Sequence, residues 1–369
     1  MYKLKVYSDF NNELKKSWNE LENNSDCYIF QTFNWQQLWQ KKIGEKSLRI
    51  KPLILTIYKG SNPLAIFPFG FRKKHGIKII EFLGGDQNDY NCIIYNKKLS
   101  IKDLKKIWLK VKENLPNHDV LSLLRLTEKL NLKENLFLKL LPSYKTGVSN
   151  YALLDDSWDI FKSKTSKKKI KENARKIKSL ESLGILKFIY NIKKEEQKII
   201  DKTIKLKSTQ YYNTGVRNIF NDINVRSFYQ SLAYIENDLI QSDISALKFR
   251  NEYIATHIGM IYSNRYYYLM PTYSDEYSYY SPGRILLQNL IEESIHKKIK
   301  IFDFMVGEEA YKKKWSDSEL IIFSSVVARS FKGYLYKMFL ETIIFLKNYE
   351  ISRNIIKRMV TITRSKLIK

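Results

Sequence analysis

The sequence predicts a mixed α/β protein, of the α+β kind, made of two similar units with mostly antiparallel sheets flanked by helices. Two observations support this fold class. Apolar residues recur first at strand spacing and then at helix spacing, and the second half of the chain repeats the order of elements in the first half at greater length. The chain has 369 residues, whereas a single domain usually has roughly 100–150. We therefore expect a duplicated unit rather than one large core.

The first half alternates strands with helices. Asp9 is the predicted N-cap of the first helix, and Gly44 ends the second. The apolar pattern places a strand at 4–6, helices at 14–21 and 35–39, a hairpin at 53–58 and 64–71, a strand at 78–83, a helix at 104–111 and a strand at 120–126. We assign these elements to an N-terminal domain, residues 1–155.

The composition changes near residue 155. Between Lys162 and Lys178 there are nine lysine or arginine residues and one acid, yet Ile170 and Ile177 belong to an apolar stripe. This pattern predicts one basic amphipathic helix. The elements that follow are a strand at 185–190, helices at 199–211 and 228–235, strands at 244–250, 253–262 and 266–273, a helix that begins at 281 and a strand at 299–305. They form the predicted second domain, residues 156–332.

Residues 333–369 form a predicted basic helical tail. Ile343, Phe345 and Leu346 recur at helical spacing, and six basic residues without an acid follow Ile351. A packed helix with a solvated end is the commoner interpretation of such a charge run. The alternative is a surface that binds an anionic membrane. The protein would then be a peripheral protein at the inner face of that membrane.

Composition limits the function. The 64 lysine and arginine residues exceed the 38 acids and give a net charge of +26, which suits anionic partners such as phosphates, RNA or acidic membranes. Cys27 and Cys92 are too few for a disulfide framework, and no apolar run approaches the roughly 20 residues that cross a bilayer. The predicted location is therefore the cytoplasm.

Several common chemistries lack their motifs. The chain contains no phosphate-binding loop of the GxxxxGK type, no GxGxxG and no CxxC, and its four histidines are not at ligand spacing. We therefore expect no metal. No aromatic residue interrupts the basic stretch to stack on bases, so no stable nucleic-acid partner is expected either.

A candidate anion site lies where the predicted helix begins at Ser281. The first turn of a helix offers unpaired N–H groups to an anion, and Arg284 adds a charge that can pair with a pyrophosphate. The alternative is an ordinary serine N-cap with proline in the first turn, which is common in helices without special function.

Candidate acid–base residues lie on the predicted strands and after them. Asp303 shares a strand face with Ile301 and Met305, where a carboxylate must be hydrogen-bonded or used. His257 lies mid-strand beside small residues. The alternatives are a structural aspartate and a satisfied core histidine. Glu308 and Tyr311 follow the strand of Asp303. The alternative for this segment is the start of a solvated helix whose charged side chains pair with one another.

A set of segments between about residues 28 and 315 occurs in a specific order. They are FQTFNW at 30–35, PLAIFPF at 63–69, FLGG at 82–85 with Asp89 and Tyr90, the stretch from Lys164 to Arg175, SPGRILL at 281–287 and FDFMVGEEAYK at 302–312. Together they resemble the FemAB-like branch of the GNAT acyltransferase superfamily, in the style of the acetyltransferases of bacterial exopolysaccharide and cellulose gene clusters.

The resemblance implies two GNAT-like domains in tandem, with an acyl donor bound in the second. It places Ser281, Gly283 and Arg284 in the pyrophosphate-binding turn and Tyr268 beside the donor. Acetyl-CoA is the expected co-substrate. Only one glycine of the superfamily's usual turn motif remains, so a coenzyme A thioester and an aminoacyl-tRNA both stay open as donors.

Transfer to an amine needs a base, oxyanion donors and an acid for the leaving thiolate. Asp303, His257 and Glu308 are the candidate bases, and Tyr311 or Tyr268 is the candidate acid. The residues expected on the acceptor side, where cations suit a nucleotide-linked sugar, are Lys164, Lys207, Tyr211, Asp89 and Tyr90.

The predicted function is an acyl-CoA-dependent N-acyltransferase that modifies an amine, or a hydroxyl, of a bacterial cell-surface polysaccharide precursor. One alternative is a Fem-type transferase that takes amino acids from tRNA to a peptidoglycan precursor, which the net charge of +26 favours. The other is a basic adaptor without catalytic activity.

Overall fold

The computed structural model describes residues 2–235, 239–307 and 309–348. Up to residue 153 it contains the strands β1 (Lys3–Tyr7), β2 (Lys51–Lys59), β3 (Asn62–Lys74), β4 (Ile77–Phe82), β5 (Ile94–Tyr95), β6 (Val120–Thr127), β7 (Lys129–Leu130), β8 (Lys133–Glu134) and β9 (Tyr144–Leu153). The helices in this part are α1 (Asn12–Asn23), α2 (Phe33–Trp39) and α3 (Ile101–Glu113).

The remaining elements follow in the same alternation. The helices are α4 (Trp158–Lys164), α5 (Lys167–Glu181), α6 (Lys193–Thr214), α7 (Ile223–Leu232), α8 (Pro282–His296), α9 (Ala310–Trp315) and α10 (Phe331–Asn348). The strands are β10 (Leu186–Tyr190), β11 (Ile240–Phe249), β12 (Glu252–Tyr262), β13 (Arg265–Tyr273), β14 (Ile301–Val306) and β15 (Ser318–Ala328).

The chain forms two compact units. Unit 1 contains Met1–Val148 and Leu320–Lys369, and unit 2 contains Ser149–Glu319. The domain boundaries predicted from the sequence are at 155/156 and 332/333. The basic residues beyond 351 in the predicted tail lie outside the described residues.

Unit 1 contains a sheet with the order β1-β2-β3-β4-β6-β15. Its neighbours pair antiparallel, apart from the parallel pair β4 and β6. The core on this sheet is aromatic, and its largest fully buried side chains include Trp18, Trp35, Phe67 and Phe69. Helix α10 packs on β4 and β6. Within the described residues, no helix is long and apolar enough to cross a membrane.

Unit 2 contains a sheet with the order β9-β14-β13-β12-β11-β10, in which only the β13–β14 pair is parallel. Helices α6 and α8 cover its two faces. Thr203 of α6 donates a hydrogen bond to Thr256 of β12 at 2.8 Å. Leu286 of α8 instead belongs to one apolar cluster with Tyr266 of β13. Because side chains alternate along a strand, neighbouring residues of β12 and β13 face different helices.

The predicted fold class is confirmed, since both units are mixed α/β with mostly antiparallel sheets flanked by helices. Two local predictions were wrong. Asn11, not Asp9, caps α1, because its side chain accepts the Leu14 N–H at 3.0 Å. The basic stretch forms two helices, because Thr165 adopts an extended backbone (ψ 149°) between α4 and α5 and its hydroxyl donates to the Phe161 carbonyl at 3.0 Å.

Candidate active site

The central feature of unit 2 is an opening between β13 and β14. The two strands pair in parallel over three residue pairs, from Arg265–Ile301 to Tyr267–Asp303, and then both continue beyond the last pair. The pairing of β14 with β9 also shifts register after Asp303. Met305 has a φ of +64° and Gly307 a φ of +148°, so β14 turns away at this point. The result is a wedge between two strand ends.

Asp303 lies at the point where the wedge begins. Its carboxylate forms an ion pair with Arg265 at 2.7 Å, and both side chains are at most 2% exposed. The same carboxylate accepts the Met305 N–H at 2.9 Å and the Ser149 hydroxyl at 3.4 Å. These contacts hold the backbone where β14 bends. They are the contacts of a structural aspartate, the alternative that the sequence leaves open, and the predicted role of Asp303 as a base stays a prediction.

His257 lies on the opposite face of the sheet from Asp303. The ring contacts Tyr266, whose hydroxyl is 3.1 Å from Nδ1, and it stacks on Tyr268 at 4.5 Å between ring centroids. Arg265, the partner of Asp303, precedes Tyr266 and therefore points the other way. The structure thus separates these two candidate bases rather than bringing them together.

The surroundings of His257 weaken its candidacy as a base. The side chain is fully buried, and this burial lowers its pKa to about 3. Nε2 has no hydrogen-bond partner among the described residues. A Cβ at Gly259 would lie 2.3 Å from the ring Cε1, so glycine is required beside it. A ring with such a low pKa holds an abstracted proton poorly.

Tyr268 and Tyr311, the candidate acids, lie on the same face as His257. Burial raises the pKa of both phenols, and in Tyr268 the charge of Tyr311 raises it further. Tyr311 packs against the apolar cluster that contains Tyr268. The structure therefore brings together three of the predicted residues, His257, Tyr268 and Tyr311. Glu308 lies outside the described residues.

Two lysines lie at the diverging strand ends. Lys207 of α6 donates to the Pro271 carbonyl of β13 at 3.2 Å, and its ammonium is 5.6 Å from the ring centroid of Tyr211. Burial lowers the pKa of Lys207 to about 8; the charge of Glu309 opposes this shift and that of Lys312 adds to it. Lys207 and Tyr211, two predicted acceptor residues, are thus adjacent to the wedge.

Lys312, which the sequence pattern does not mark as a site residue, lies on the β14 side. Its side chain is 6% exposed, and its ammonium donates to the carbonyls of Met305 at 3.3 Å and Val306 at 3.0 Å. It also forms an ion pair with Glu309 at 3.0 Å. A Cβ at Gly307 would lie 2.1 Å from the Glu309 carboxylate. The sequence signal for a buried Lys312 is therefore the spacing Gly-x-Glu-x-x-Lys, which joins Gly307, Glu309 and Lys312.

The start of α8 is the predicted phosphate-binding turn. Ser281 is its N-cap in the left-handed region (φ +53°), and its side chain makes no capping hydrogen bond, unlike an ordinary serine cap. A Cβ at Gly283 would lie 3.1 Å from the ring of Tyr273, the last residue of β13. The guanidinium of Arg284 donates to Glu172 and Asn173 of α5, both at 3.1 Å. Part of its charge is therefore already compensated.

Other cations of α5 approach the same turn. The Lys176 ammonium donates to the main-chain carbonyl of Tyr279 and lies 3.7 Å from the centroid of the Tyr279 ring. Lys169 lies 4.5 Å from the ring centroid of Trp315. Burial lowers the pKa of Lys169, and the charges of Lys314 and Arg284 lower it further. The turn therefore combines a helix N-terminus with a positive surrounding, which suits an anion.

The other predicted acceptor residues are Lys164, Asp89 and Tyr90. Lys164 at the end of α4 is exposed and forms an ion pair with Asp155. Asp89 and Tyr90 belong to unit 1. The ring of Tyr90 is fully buried and lies 4.8 Å from that of Tyr28 between centroids, so it packs in the aromatic core, and its role in binding the acceptor stays a prediction.

The matched family gives these features a context. Residues 167–313 match the acetyltransferase (GNAT) domain family. The match begins at α5 and ends in α9, so the matched segment contains the wedge, the start of α8, Lys207 and Lys312. It agrees with the resemblance drawn from the sequence, over this segment alone. No curated protein matches the sequence.

Solved structures with a similar fold cover most of the chain. FemX matches with a TM-score of 0.59 and 9% identity, over 86% of this chain and 96% of that chain. The C-terminal domain of a putative lysylphosphatidylglycerol synthetase from Agrobacterium fabrum matches with a TM-score of 0.52 and 10% identity, over 89% and 96%. A conserved protein of unknown function from Bacteroides thetaiotaomicron matches with 0.52 and 12%, over 89% and 100%. At such identities the likeness is one of fold.

The donor set for a metal is a separate question. In the parts of the chain that the structure describes, no three His, Cys, Asp or Glu side chains are grouped so that they could hold a metal ion.

Proposed function

We propose that unit 2 is an N-acyltransferase that passes an acyl group, acetyl in the first instance, from a coenzyme A thioester to an amine. The observation that carries the proposal is the wedge between β13 and β14, which opens beside the first turn of α8. Beyond Tyr267 the described edge of β13 no longer pairs with β14, so its main chain can pair with the amide groups of the donor's pantetheine arm.

The start of α8 would hold the donor's pyrophosphate. The positive end of the helix dipole and the Gly283 N–H favour an anion there, whereas Pro282 has no N–H and the Ser281 and Arg284 N–H groups donate to the Ser278 and Ser281 carbonyls. Lys169 and Lys176 add positive charge at the same end of α8, while Glu172 compensates part of the charge of Arg284. The match of residues 167–313 to an acetyltransferase domain supports a coenzyme A donor.

In the proposed transfer, Lys207 takes up the proton that the amine releases. With a pKa of about 8, a substantial fraction of Lys207 is neutral near pH 8 and has a lone pair for this proton. The amine nitrogen bonds to the thioester carbon, the carbonyl oxygen becomes an oxyanion, and the carbon–sulfur bond then breaks. The leaving thiolate takes a proton from solvent, because burial raises the pKa of Tyr311, the predicted acid, and makes it a weak donor. The fixed ammonium of Lys312 favours the oxyanion electrostatically.

The proposed acceptor is an amine, or a hydroxyl, of a nucleotide-linked sugar used for a cell-surface polysaccharide. The order of the sequence segments between about residues 28 and 315 supports this class. The net charge of +26 suits the acceptor's diphosphate, and both substrates are cytoplasmic metabolites, so the cytoplasm is the proposed location.

The test measures donor binding and thiol release separately. Calorimetry with coenzyme A should show binding, and acetyl-CoA with a panel of nucleotide amino sugars should release free thiol only when the right acceptor is present. Lys207→Met should lose thiol release but keep coenzyme A binding. Lys202→Met is the matched control, since Lys202 lies on the same helix and pairs with Glu252 at 2.9 Å. Absence of coenzyme A binding by the wild type would reject the proposal.

A Fem-type transferase that uses aminoacyl-tRNA is the second candidate. The observation that favours it is a basic face on α5, where Lys168, Lys171, Arg175 and Lys178 are exposed at helical spacing. The fold likeness to FemX gives further support. It predicts tRNA affinity that falls steeply with salt and weakens when these four residues are neutralised, whereas coenzyme A binding would be absent.

A further inference from the structure

The β14 side of the wedge carries a carboxylate that the proposed transfer does not use. Glu309 forms an ion pair with the Lys312 ammonium through Oε2 at 3.0 Å, and its side chain is 55% exposed. A Cβ at Gly307 would lie 2.1 Å from the same oxygen, so the carboxylate lies against the main chain of that glycine. Because more than half of the side chain remains exposed, the carboxylate can also accept hydrogen bonds from a ligand.

The charge of Glu309 acts on the opposite side of the wedge. Burial lowers the pKa of Lys207 on α6, and the charge of Glu309 opposes this shift. Burial raises the pKa of Tyr311, and the same charge raises it further. Because the interaction between charges weakens with distance, the carboxylate lies near Lys207, the proposed base.

A second acceptor beside Gly307 is independent of this charge. Asn150 of β9 is 1% exposed, and its Nδ2 donates to the Gly307 carbonyl at 3.3 Å. The other polar atom of the same carboxamide, Oδ1, has no hydrogen-bond partner among the described residues. Proteins seldom leave a buried oxygen without a donor, because the atom has lost its hydrogen bonds to water. Oδ1 therefore indicates a place for a donor that a ligand brings.

The chemistry of these two oxygens limits the ligand. Both only accept hydrogen bonds, so they favour a group that donates. An ammonium offers three N–H donors and a positive charge, whereas a hydroxyl offers one donor and no charge. A phosphate or a carboxylate would meet the like charge of Glu309 and would find no donor at the Asn150 Oδ1. Since Glu309 also offsets the charge of Lys312, an amine can approach in its protonated form.

We propose that Glu309 and Asn150 bind the primary amine of the acceptor as an ammonium and thereby select an amine over a hydroxyl. The proposal rests on the transfer proposed for unit 2. The bound ammonium releases one proton to solvent, and its nitrogen regains the lone pair that bonds to the thioester carbon. The second proton passes to Lys207 as the amide forms. Glu309 and Asn150 make and break no covalent bond in these steps, so they are binding residues.

The test compares an amine with the matching alcohol. Glucosamine and glucose differ at one carbon, which carries an ammonium at neutral pH in the first sugar and a hydroxyl in the second. Each sugar is titrated into the isotope-labelled full chain, with and without coenzyme A. NMR spectra follow the side-chain NH₂ signals of Asn150 and the main-chain N–H signal of Gly307. Glucosamine should shift these signals, and glucose should not.

Glu309→Gln removes the negative charge and keeps the length of the side chain. It should weaken glucosamine binding at least about tenfold, because a hydrogen bond to a charged group is lost, and it should leave coenzyme A binding unchanged. Glu252→Gln is the matched control, since Glu252 is 40% exposed and pairs with Lys202 at 2.9 Å. This control should bind glucosamine as the wild type does.

The kinetics separate a binding residue from a structural one. With acetyl-CoA and a nucleotide amino sugar as acceptor, Glu309→Gln should raise the KM for the acceptor at least about tenfold and change kcat less. A residue that only supports the fold would instead lower the melting temperature and weaken coenzyme A binding as well.

Three results would overturn the proposal. The first is a wild type whose Asn150 and Gly307 signals do not respond to glucosamine. The second is a wild type that binds glucose as tightly as glucosamine. The third is a Glu309→Gln variant that binds glucosamine as tightly as the wild type. Failure of the transfer gives a different pattern: a wild type that binds no coenzyme A but still responds to glucosamine would reject the transfer and support the ammonium site alone.

Discussion

Replacing Lys207 with methionine should stabilise the protein at pH 7 and at the same time slow acyl transfer strongly. Burial lowers the pKa of this ammonium from 10.5 to about 8. At about 1.4 kcal/mol for each pKa unit, keeping the charge in the folded protein costs about 3 kcal/mol. Methionine has a similar length and no charge. Allowing for partial exposure of Lys207 and for its lost hydrogen bond to Pro271, about 2 kcal/mol of net stabilisation remains.

The pH dependence follows from the direction of this shift. Below pH 8 the lysine is charged in both the folded and the unfolded state, so the folded protein carries the whole cost. Between about pH 8 and 10.5 the unfolded state binds more protons than the folded state. The free energy of unfolding of the wild type therefore rises with pH and approaches that of the variant. Above 10.5 both states are neutral, and the advantage of the variant disappears.

The assay is urea denaturation of wild type and variant at pH 7 and at pH 10.5, together with the thiol-release rate. We expect a loss of 10²- to 10⁴-fold in kcat, as for removal of a general base, and a wild-type kcat/KM that rises towards about pH 8. Lys312→Met is the contrast, because its ammonium has three partners, and it should be destabilising. If Lys207→Met is less stable than wild type at pH 7, the assigned burial cost is wrong. A flat pH profile of kcat/KM would refute the role as a base.

Three further outcomes test the rest of the site. Asp303→Asn should destabilise the protein by about 3–5 kcal/mol in urea, because it leaves Arg265 buried without its counter-charge; a loss below about 1 kcal/mol would contradict the buried ion pair. Gly307→Ala should lower the melting temperature and acyl transfer, since its Cβ would lie 2.1 Å from the Glu309 carboxylate and φ is +148°; a variant as stable as wild type would refute this strain. The ring signals of His257 should not change between pH 5 and 8 in NMR spectra, because its pKa is about 3; a midpoint inside that interval would show that the ring is hydrated.

Periodic patterns predicted most elements but not all of them. The three strands β11, β12 and β13 alternate apolar and polar residues and are joined by tight turns, so their positions follow from local sequence. The strand β9 was missed because Gly147, Ser149 and Asn150 interrupt its apolar pattern. Ser149 and Asn150 are nevertheless buried, because they bond to Asp303 and to the Gly307 carbonyl. Such partners are remote in sequence, and periodicity cannot reveal them.

The contacts of the candidate site residues escape the sequence for the same reason. Asp303 is conspicuous because it is a charge inside an apolar strand, but its partner Arg265 is 38 positions away. Lys312 stands in a run of three lysines that resembles a solvated surface, and charged residues are usually exposed. It is buried because three oxygens surround its ammonium. Tyr90 follows a glycine pair as a ligand-contacting aromatic would, yet it packs in the core.

The buried ion pair between Asp303 and Arg265 has a consequence for how a ligand would bind in unit 2. The ion pair and the hydrogen bond from the Met305 N–H to Asp303 fix the bend of β14, so the wedge is present before a ligand binds. Ligand binding would then require little ordering of the chain, and the protein would lose little conformational entropy. The affinity would therefore depend on how well the ligand fits the wedge. Amide exchange at Asp303 and Met305 should be slow in the free protein and change little when the gap is filled.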